Sequence, residues 1–313
     1  DYFVNTSSSE AQAFLNSIGG SIKYDGVIAF GKAGSDSNLQ FDLRNWSMNT
    51  PAPTRKMNGS AMLGQLNIKT FNDANNANRI SWSGKIGDLY TLNGAINRDA
   101  QVHFGLGIGT TAIASQPGLQ LNIASNELNL DDWRRFLQAN KTDRAQEGKA
   151  NSSSGAIKAQ IVAQVKKLTL FDRLWQDVNV AANNKKNFWE LRINSPQASG
   201  QIQYQESQKA NTNSLISGKF SKLKIVDAST PADPANKNAS SPKKILRPES
   251  IPSLDIVIDD FSWGKSQLGQ LKLKSTTVDN TLKIDTIQTN NPQGSTTISG
   301  QWIGATKNTP DHS

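Results

Sequence analysis

Apolar and polar residues alternate with a period of two through most of the chain. Near the C-terminus, Leu254, Ile256 and Ile258 alternate with Asp255, Val257 and Asp259. Leu271 and Leu273 alternate with Lys272 and Lys274, and Leu282 and Ile284 with Lys283 and Asp285. A period of two marks a strand with one apolar and one wet face. Gly264, Asp279-Asn280 and Asn290-Asn291-Pro292 separate the runs, which predicts an antiparallel meander over 251–304. Earlier runs repeat the theme: Ile161 and Val165, Val178 and Val180, Leu191 and Ile193, Ile202 and Tyr204.

Helical spacing interrupts this pattern twice. Ser7 to Glu10 reads as a capping box, and Ala11, Phe14, Leu15 and Ile18 follow at helical intervals, with Gly19-Gly20 after them. In 131–138, Asp131 or Asp132 caps a helix that presents Trp133, Phe136 and Leu137 on one face. Asp25-Gly26 reads as the turn of a hairpin between Ser21–Tyr24 and Val27–Phe30. Strand-like runs through 61–124 have no crossover-length helix between them, so antiparallel neighbours are expected there.

Six segments follow. Residues 1–138 form a first β-segment with short helices at about 8–18 and 131–138, and 139–156 form a flexible connector. A second β-segment spans 157–226, followed by a disordered Pro-, Ala- and Lys-rich loop over 227–250. The terminal meander, 251–304, and a polar tail, 305–313, complete the chain.

Composition narrows the class. Mean hydropathy is −0.53 and 36% of residues are hydrophobic. This is lean for a closed sandwich and suits a one-layer sheet with a single apolar face. Read from pattern alone, a sandwich or barrel remains the commoner outcome. The net charge of +8 comes from 34 basic against 26 acidic residues. The lysines are scattered over alternate strand positions without interleaved aromatics, so they read as a solvated face and not as a nucleic-acid site. With no cysteine, disulfides and thiolate sites are excluded. No apolar run reaches membrane-spanning length. The start at Asp1 and the polar ending read as a piece of a longer protein.

No catalytic, metal or cofactor chemistry emerges. His103 sits in a strand and His312 in the tail, with no ligand-spaced cluster around either. Asp131-Asp132 reads as a helix cap and Asp259-Asp260 as a strand end. The run from Gly105 to Gly109 lacks the Lys-Ser/Thr pair of a phosphate loop and reads as a bulged or tightly bent strand.

An ordered series of signatures carries a family resemblance. It begins with Phe104-Gly105, the Gly-Leu-Gln-Leu at Gly118 and the Leu-Asp-Asp-Trp ending at Trp133. The runs Phe188 to Gly200 and Ile251 to Trp263 follow, then Leu-Gly-Gln-Leu from Leu268 and Ile-Ser-Gly-Gln-Trp ending at Trp302. Together they resemble the C-terminal half of the YhdP-type proteins of the AsmA-like superfamily, which also includes TamB; the match is weakest before Gln65.

The resemblance implies a mainly β fold, a long twisted antiparallel sheet curled into an open trough. It also implies a periplasmic protein of diderm bacteria, tethered to the inner membrane by an N-terminal helix and moving phospholipid toward the outer membrane. The expected partners are phospholipid acyl chains, with the two membranes or their proteins at the ends of the full-length chain, and no nucleic acid. No catalytic residue is carried over. The predicted groove lining is Ile161, Val165, Val178, Val180, Leu191, Ile193, Ile202, Leu254, Ile256, Ile258, Leu271, Leu273, Leu282, Ile284, Ile298 and Trp302. The alternative is an envelope-assembly scaffold that contacts proteins and carries no lipid.

Overall fold

A computed structural model describes residues 9–72, 78–97, 99–139, 158–185, 187–207, 213–226, 247–248 and 251–304. Nearly all of the expected connector, the loop at 227–250 and the tail fall outside them. The chain opens with α1 (Ser9–Asn16), β1 (Ile18–Gly20), β2 (Lys23–Gly31), β3 (Gly34–Asp42) and β4 (Trp46–Met48). Next come β5 (Leu63–Asn72), β6 (Asn78–Ile86), β7 (Tyr90–Ile96), β8 (Val102–Ile108), β9 (Gly118–Asn129) and α2 (Leu130–Ala139). Then follow β10 (Ala159–Leu170), β11 (Arg173–Asn184), β12 (Trp189–Asn194), β13 (Ala198–Gln205) and β14 (Leu215–Ile225). The last four are β15 (Ser253–Trp263), β16 (Ser266–Val278), β17 (Thr281–Asn291) and β18 (Gly294–Ile303).

One 16-stranded sheet holds every strand except β1 and β4, which pair with each other. Its order follows the chain from β18 down to β5 and then continues through β3 to β2. The end strands β2 and β18 are not partners, so the sheet does not close into a barrel. The chain divides into two compact units, Asp1–Asn179 and Val180–Ser313.

In the first unit, the expectations at two early glycine-containing pairs are corrected. The hairpin turn is not at Asp25-Gly26: β2 runs straight through these residues and the chain turns at Lys32-Ala33. Gly26 serves a close approach, because a Cβ there would lie 2.6 Å from Leu39 Cδ2. Gly19 and Gly20 belong to β1 and do not end the helix.

The expected antiparallel pairing fails at β8/β9, which are parallel without a helix between them. The glycines of β8 make this possible. Leu106 and Ile108 pair with Leu121 and Ile123 on one face, leaving Gly105 and Gly107 on the other. A Cβ on Gly105 would collide with the Ile113 carbonyl, and one on Gly107 with the Thr110 carbonyl. The returning chain therefore lies directly on bare backbone. Thr91 Oγ1 clamps it, donating to Thr110 O and accepting from Ala112 N, both at 2.7 Å. Gln120 Oε1 accepts from Ser115 N at 2.6 Å. The glycine run is thus a platform in a strand that pairs regularly with β7, and not a bulge or bend.

The β9/β10 pair is also parallel, with α2 in its connection. Asn129 caps α2, its Oδ1 accepting from Asp131 N at 3.0 Å and Asp132 N at 3.1 Å. Asp131, expected as the cap, is 2% exposed and reaches elsewhere. Its carboxylate accepts from Phe171 N (3.1 Å) and Asp172 N (2.8 Å), which form the turn between β10 and β11. Both turn residues have φ of 56°, and two charge-assisted bonds hold this uncommon conformation. α2 also meets α1, with Phe14 stacked on Trp133 at 6.4 Å. Trp133 Nε1 donates to Ala52 O at 3.2 Å, tying in the 49–57 loop. Inside that loop region, buried Lys56 donates to Trp46 O and Met57 O.

In the second unit, β12 to β14 are antiparallel, β14/β15 parallel, and β15 to β18 form the expected meander. Asp259-Asp260 lies inside β15, not at a strand end, at a register shift between Ile258 and Phe261.

The glycine platform yields a contrast between two substitutions. Gly105→Val should destabilise by about 3 kcal/mol, because backbone occupies the space. Gly300 has nothing within 4 Å of an added Cβ. Gly300→Ala should be neutral or stabilise by up to about 1 kcal/mol. Urea denaturation of both variants measures the difference, and equal effects would refute the platform.

Candidate functional site

Cross-strand partnership assembles the apolar side chains into rows. In the first unit, Leu39, Leu66, Gly84, Leu92, Leu106, Leu121 and Ile161 are successive partners across seven strands. A neighbouring row runs Ile68, Trp82, Gly94, Phe104, Leu119 and Ala159. Gly94 is required there, since the Trp82 ring occupies the place of its missing side chain and reaches to 6.3 Å from the Phe104 ring. Strands lie ~4.8 Å apart, so each row is a nearly unbroken apolar stripe.

The second unit repeats the arrangement. Leu191, Ile202, Gly218, Ile256, Leu273, Ile287 and Ile298 are successive partners from β12 to β18. Alongside run Ile193, Gly200, Phe220, Ile258 and Leu271. Leu254 and Ile284 share Ser275 as a partner, and Leu282 pairs with Trp302. The predicted residues of this unit from Leu191 to Trp302 therefore share one face. Phe220, Ile258 and Phe261 form a buried cluster with half-buried neighbours drawn from β12 to β16.

Burial along this face is graded. Ile258 is 2% exposed while Ile298 is 53% exposed. Among the described residues the only strands outside the large sheet are the three-residue β1 and β4. Among the described residues no second β-layer of comparable size is therefore present to seal the face. The opposite face is polar: Asp255 stands opposite Lys274, and Lys219 opposite Gln201.

A family model described as YhdP protein matches residues 5–311. The chain belongs to this family. No curated protein matches it, and no solved structure does. The family assignment agrees with a mainly β chain whose sheet is large, mostly antiparallel and unclosed.

Of the lining residues predicted in the first unit, Ile161 joins the leucine row and Val165 pairs with Ser125. Val165 and Val178 border a cavity of about 400 Å³ whose other walls include Asn126, Gln164, Lys166, Asp177 and Asn179. That cavity is polar as much as apolar. Val180, two residues beyond Val178 on β11, is half-buried in the second unit.

The sequence reading missed the Leu66, Trp82, Leu92, Leu106 and Leu121 positions, although alternation around Leu66, Trp82 and Leu121 was present. It also missed Ile287, because Asp285 and Thr286 put it out of phase with Leu282 and Ile284. Asp285 stays on the polar side, accepting from Thr276 Oγ1 at 2.9 Å. That bond and Lys283 hold its carboxyl below the usual carboxylate range.

No group of three or more potential metal ligands occurs among the described residues. At one end of the first unit's apolar face, Tyr90 pairs with Ile86 and Ile108 and donates its hydroxyl to Thr54 O at 3.0 Å. Burial pushes the phenol up to about 12. A raised phenol means that the unfolded chain loses its proton first, near pH 10. The contribution of Tyr90 to stability is therefore complete below about pH 10 and lost as pH rises toward 12. Thermal unfolding across that range should show the decline in the native chain. Tyr90→Phe should lower stability by about 1 kcal/mol at neutral pH and flatten the alkaline limb. An unchanged alkaline slope would remove Tyr90 as its cause.

Proposed function

We propose that this chain is a segment of a non-enzymatic lipid conduit, whose apolar face holds phospholipid acyl chains. The observation that carries the reading is the set of partnered rows, such as Leu191 to Ile298, on a face with no second β-layer over it among the described residues. Moving hydrocarbon from water onto such a surface is favourable by ~0.8 kcal/mol per CH₂. Successive rungs of Ile, Leu and Phe differ little in affinity, so a chain can move between them without re-entering water. A headgroup needs only the solvent at the open side. The proposed setting is the periplasm of a diderm bacterium, with an inner-membrane tether and the two membranes as source and destination. Family membership supports that setting. Among the described residues no helix is long and apolar enough to cross a membrane.

Native mass spectrometry of the purified chain should detect co-purified phospholipid. Photo-crosslinkers at Ile256, Leu273 or Ile284 should capture it. Ile256→Asp should reduce lipid occupancy at least tenfold, on the scale of about 1–3 kcal/mol for burying an unpaired polar group. Lys272→Asp, one residue from Leu273 but on the polar face, should leave occupancy unchanged. Equal losses from both substitutions, or crosslinks to protein alone, would favour the scaffold over the conduit.

A further inference from the structure

On the polar face of the second unit, β13 carries three glutamines at alternate positions: Gln201, Gln203 and Gln205. Register places Gln203 opposite Glu190 and Ser217, and Gln205 opposite Leu215. Phe188 immediately precedes β12, and its carbonyl accepts Lys185 N at 2.8 Å, which fixes the turn that presents the ring. Asn187, Phe188, Gln203, Gln205, Leu215 and Ser217 line a cavity of about 360 Å³. This volume lies in the lower range of small-molecule sites.

We infer that this cavity binds an uncharged carbohydrate. Three primary amides and a hydroxyl offer donors and acceptors side by side, as sugar hydroxyls require. Phe188 and Leu215 supply the apolar surface that the C–H face of a pyranose ring covers. The side chains of Asn187, Gln203 and Gln205 hydrogen-bond no other described residue, so they are available to a ligand.

The lining argues against other ligands. Among the described residues no cation lines the cavity, as an anion would need, and nearby Arg192 is paired with Glu190 at 3.7 Å. A peptide adding as a strand needs a free edge, yet β12, β13 and β14 each have a neighbour on both sides. A wholly apolar ligand would leave the amides desolvated and unpaired. Gln203 and Gln205 alternate with Ile202 and Tyr204, so the sugar site and the proposed lipid face lie on opposite sides of β13. The two activities are therefore separable.

Saturation-transfer NMR and calorimetry on the whole chain, with chitotriose and cellotriose as probes, test the inference. At least one trisaccharide should bind saturably, with inorganic phosphate failing to compete. Phe188→Ala and the double variant Gln203→Leu/Gln205→Leu should each weaken binding at least about tenfold. Circular dichroism should show unchanged folding, because Gln203 and Gln205 are exposed and Phe188 is only half-buried. Ile256→Asp should leave sugar binding intact, whether or not it alters lipid occupancy. The inference is overturned if neither sugar saturates, if phosphate displaces the sugar, or if binding survives both sets of substitutions.

Discussion

Register is the constraint on which the architecture depends. Side chains along a strand alternate faces, so a slip of one residue would move every apolar group of that strand to the wet side. The second unit holds its phase even where the strands are irregular. In β14, Phe220 and Leu223 are separated by Ser221 and Lys222; in β15, Ile258 and Phe261 are separated by Asp259 and Asp260. These two irregularities sit side by side, so Phe220 still partners Ile258 and Leu223 still partners Phe261. β17 does the same between Ile284 and Ile287, with Gly300 and Ile298 as the partners across β18. Each extra residue is polar and stays on the wet side or in the kink.

This explains which parts of the fold were legible in the sequence. The terminal meander was, because Leu254 to Ile258 and Leu271 to Leu273 alternate without a break and turn residues separate them. Strand direction was not. Alternation is the same whichever way a strand runs, and the information for a parallel β8/β9 pair lay in two glycines whose meaning depends on a segment lying over them. Asp131 was read from its neighbours in sequence, while its carboxylate serves a turn 40 residues away.

The candidate face was half legible for a related reason. Where large residues alternate without a break, as around Ile256 and Leu273, the pattern identifies the apolar face directly. In the first unit Gly64, Gly84 and Gly94 occupy apolar-face positions, and the alternation looks diluted. Their neighbours compensate: Trp82 spreads over Gly94 and Leu66 lies against the bare backbone of Gly84. A glycine on such a face is filled by the residue on the next strand, which a reading along one strand cannot see.

A sheet whose apolar side meets no second layer among the described residues must draw its stability mainly from backbone pairing and from contacts between neighbours in the rows. The burial of Ile258 arises where several large side chains converge, as Phe220, Phe261 and Leu271 do there. Elsewhere the same residue types remain half in water, which carries a standing free-energy cost per unit of apolar area. A ligand that covers this area recovers that cost without any rearrangement of the strands, and a second protein layer would recover it only by closing the face. The low hydrophobic content of the chain fits a sheet that is apolar on one side, which needs apolar residues at only half of its positions. The other half then carry polar groups on the opposite face, as the glutamines of β13 do where they alternate with Ile202 and Tyr204.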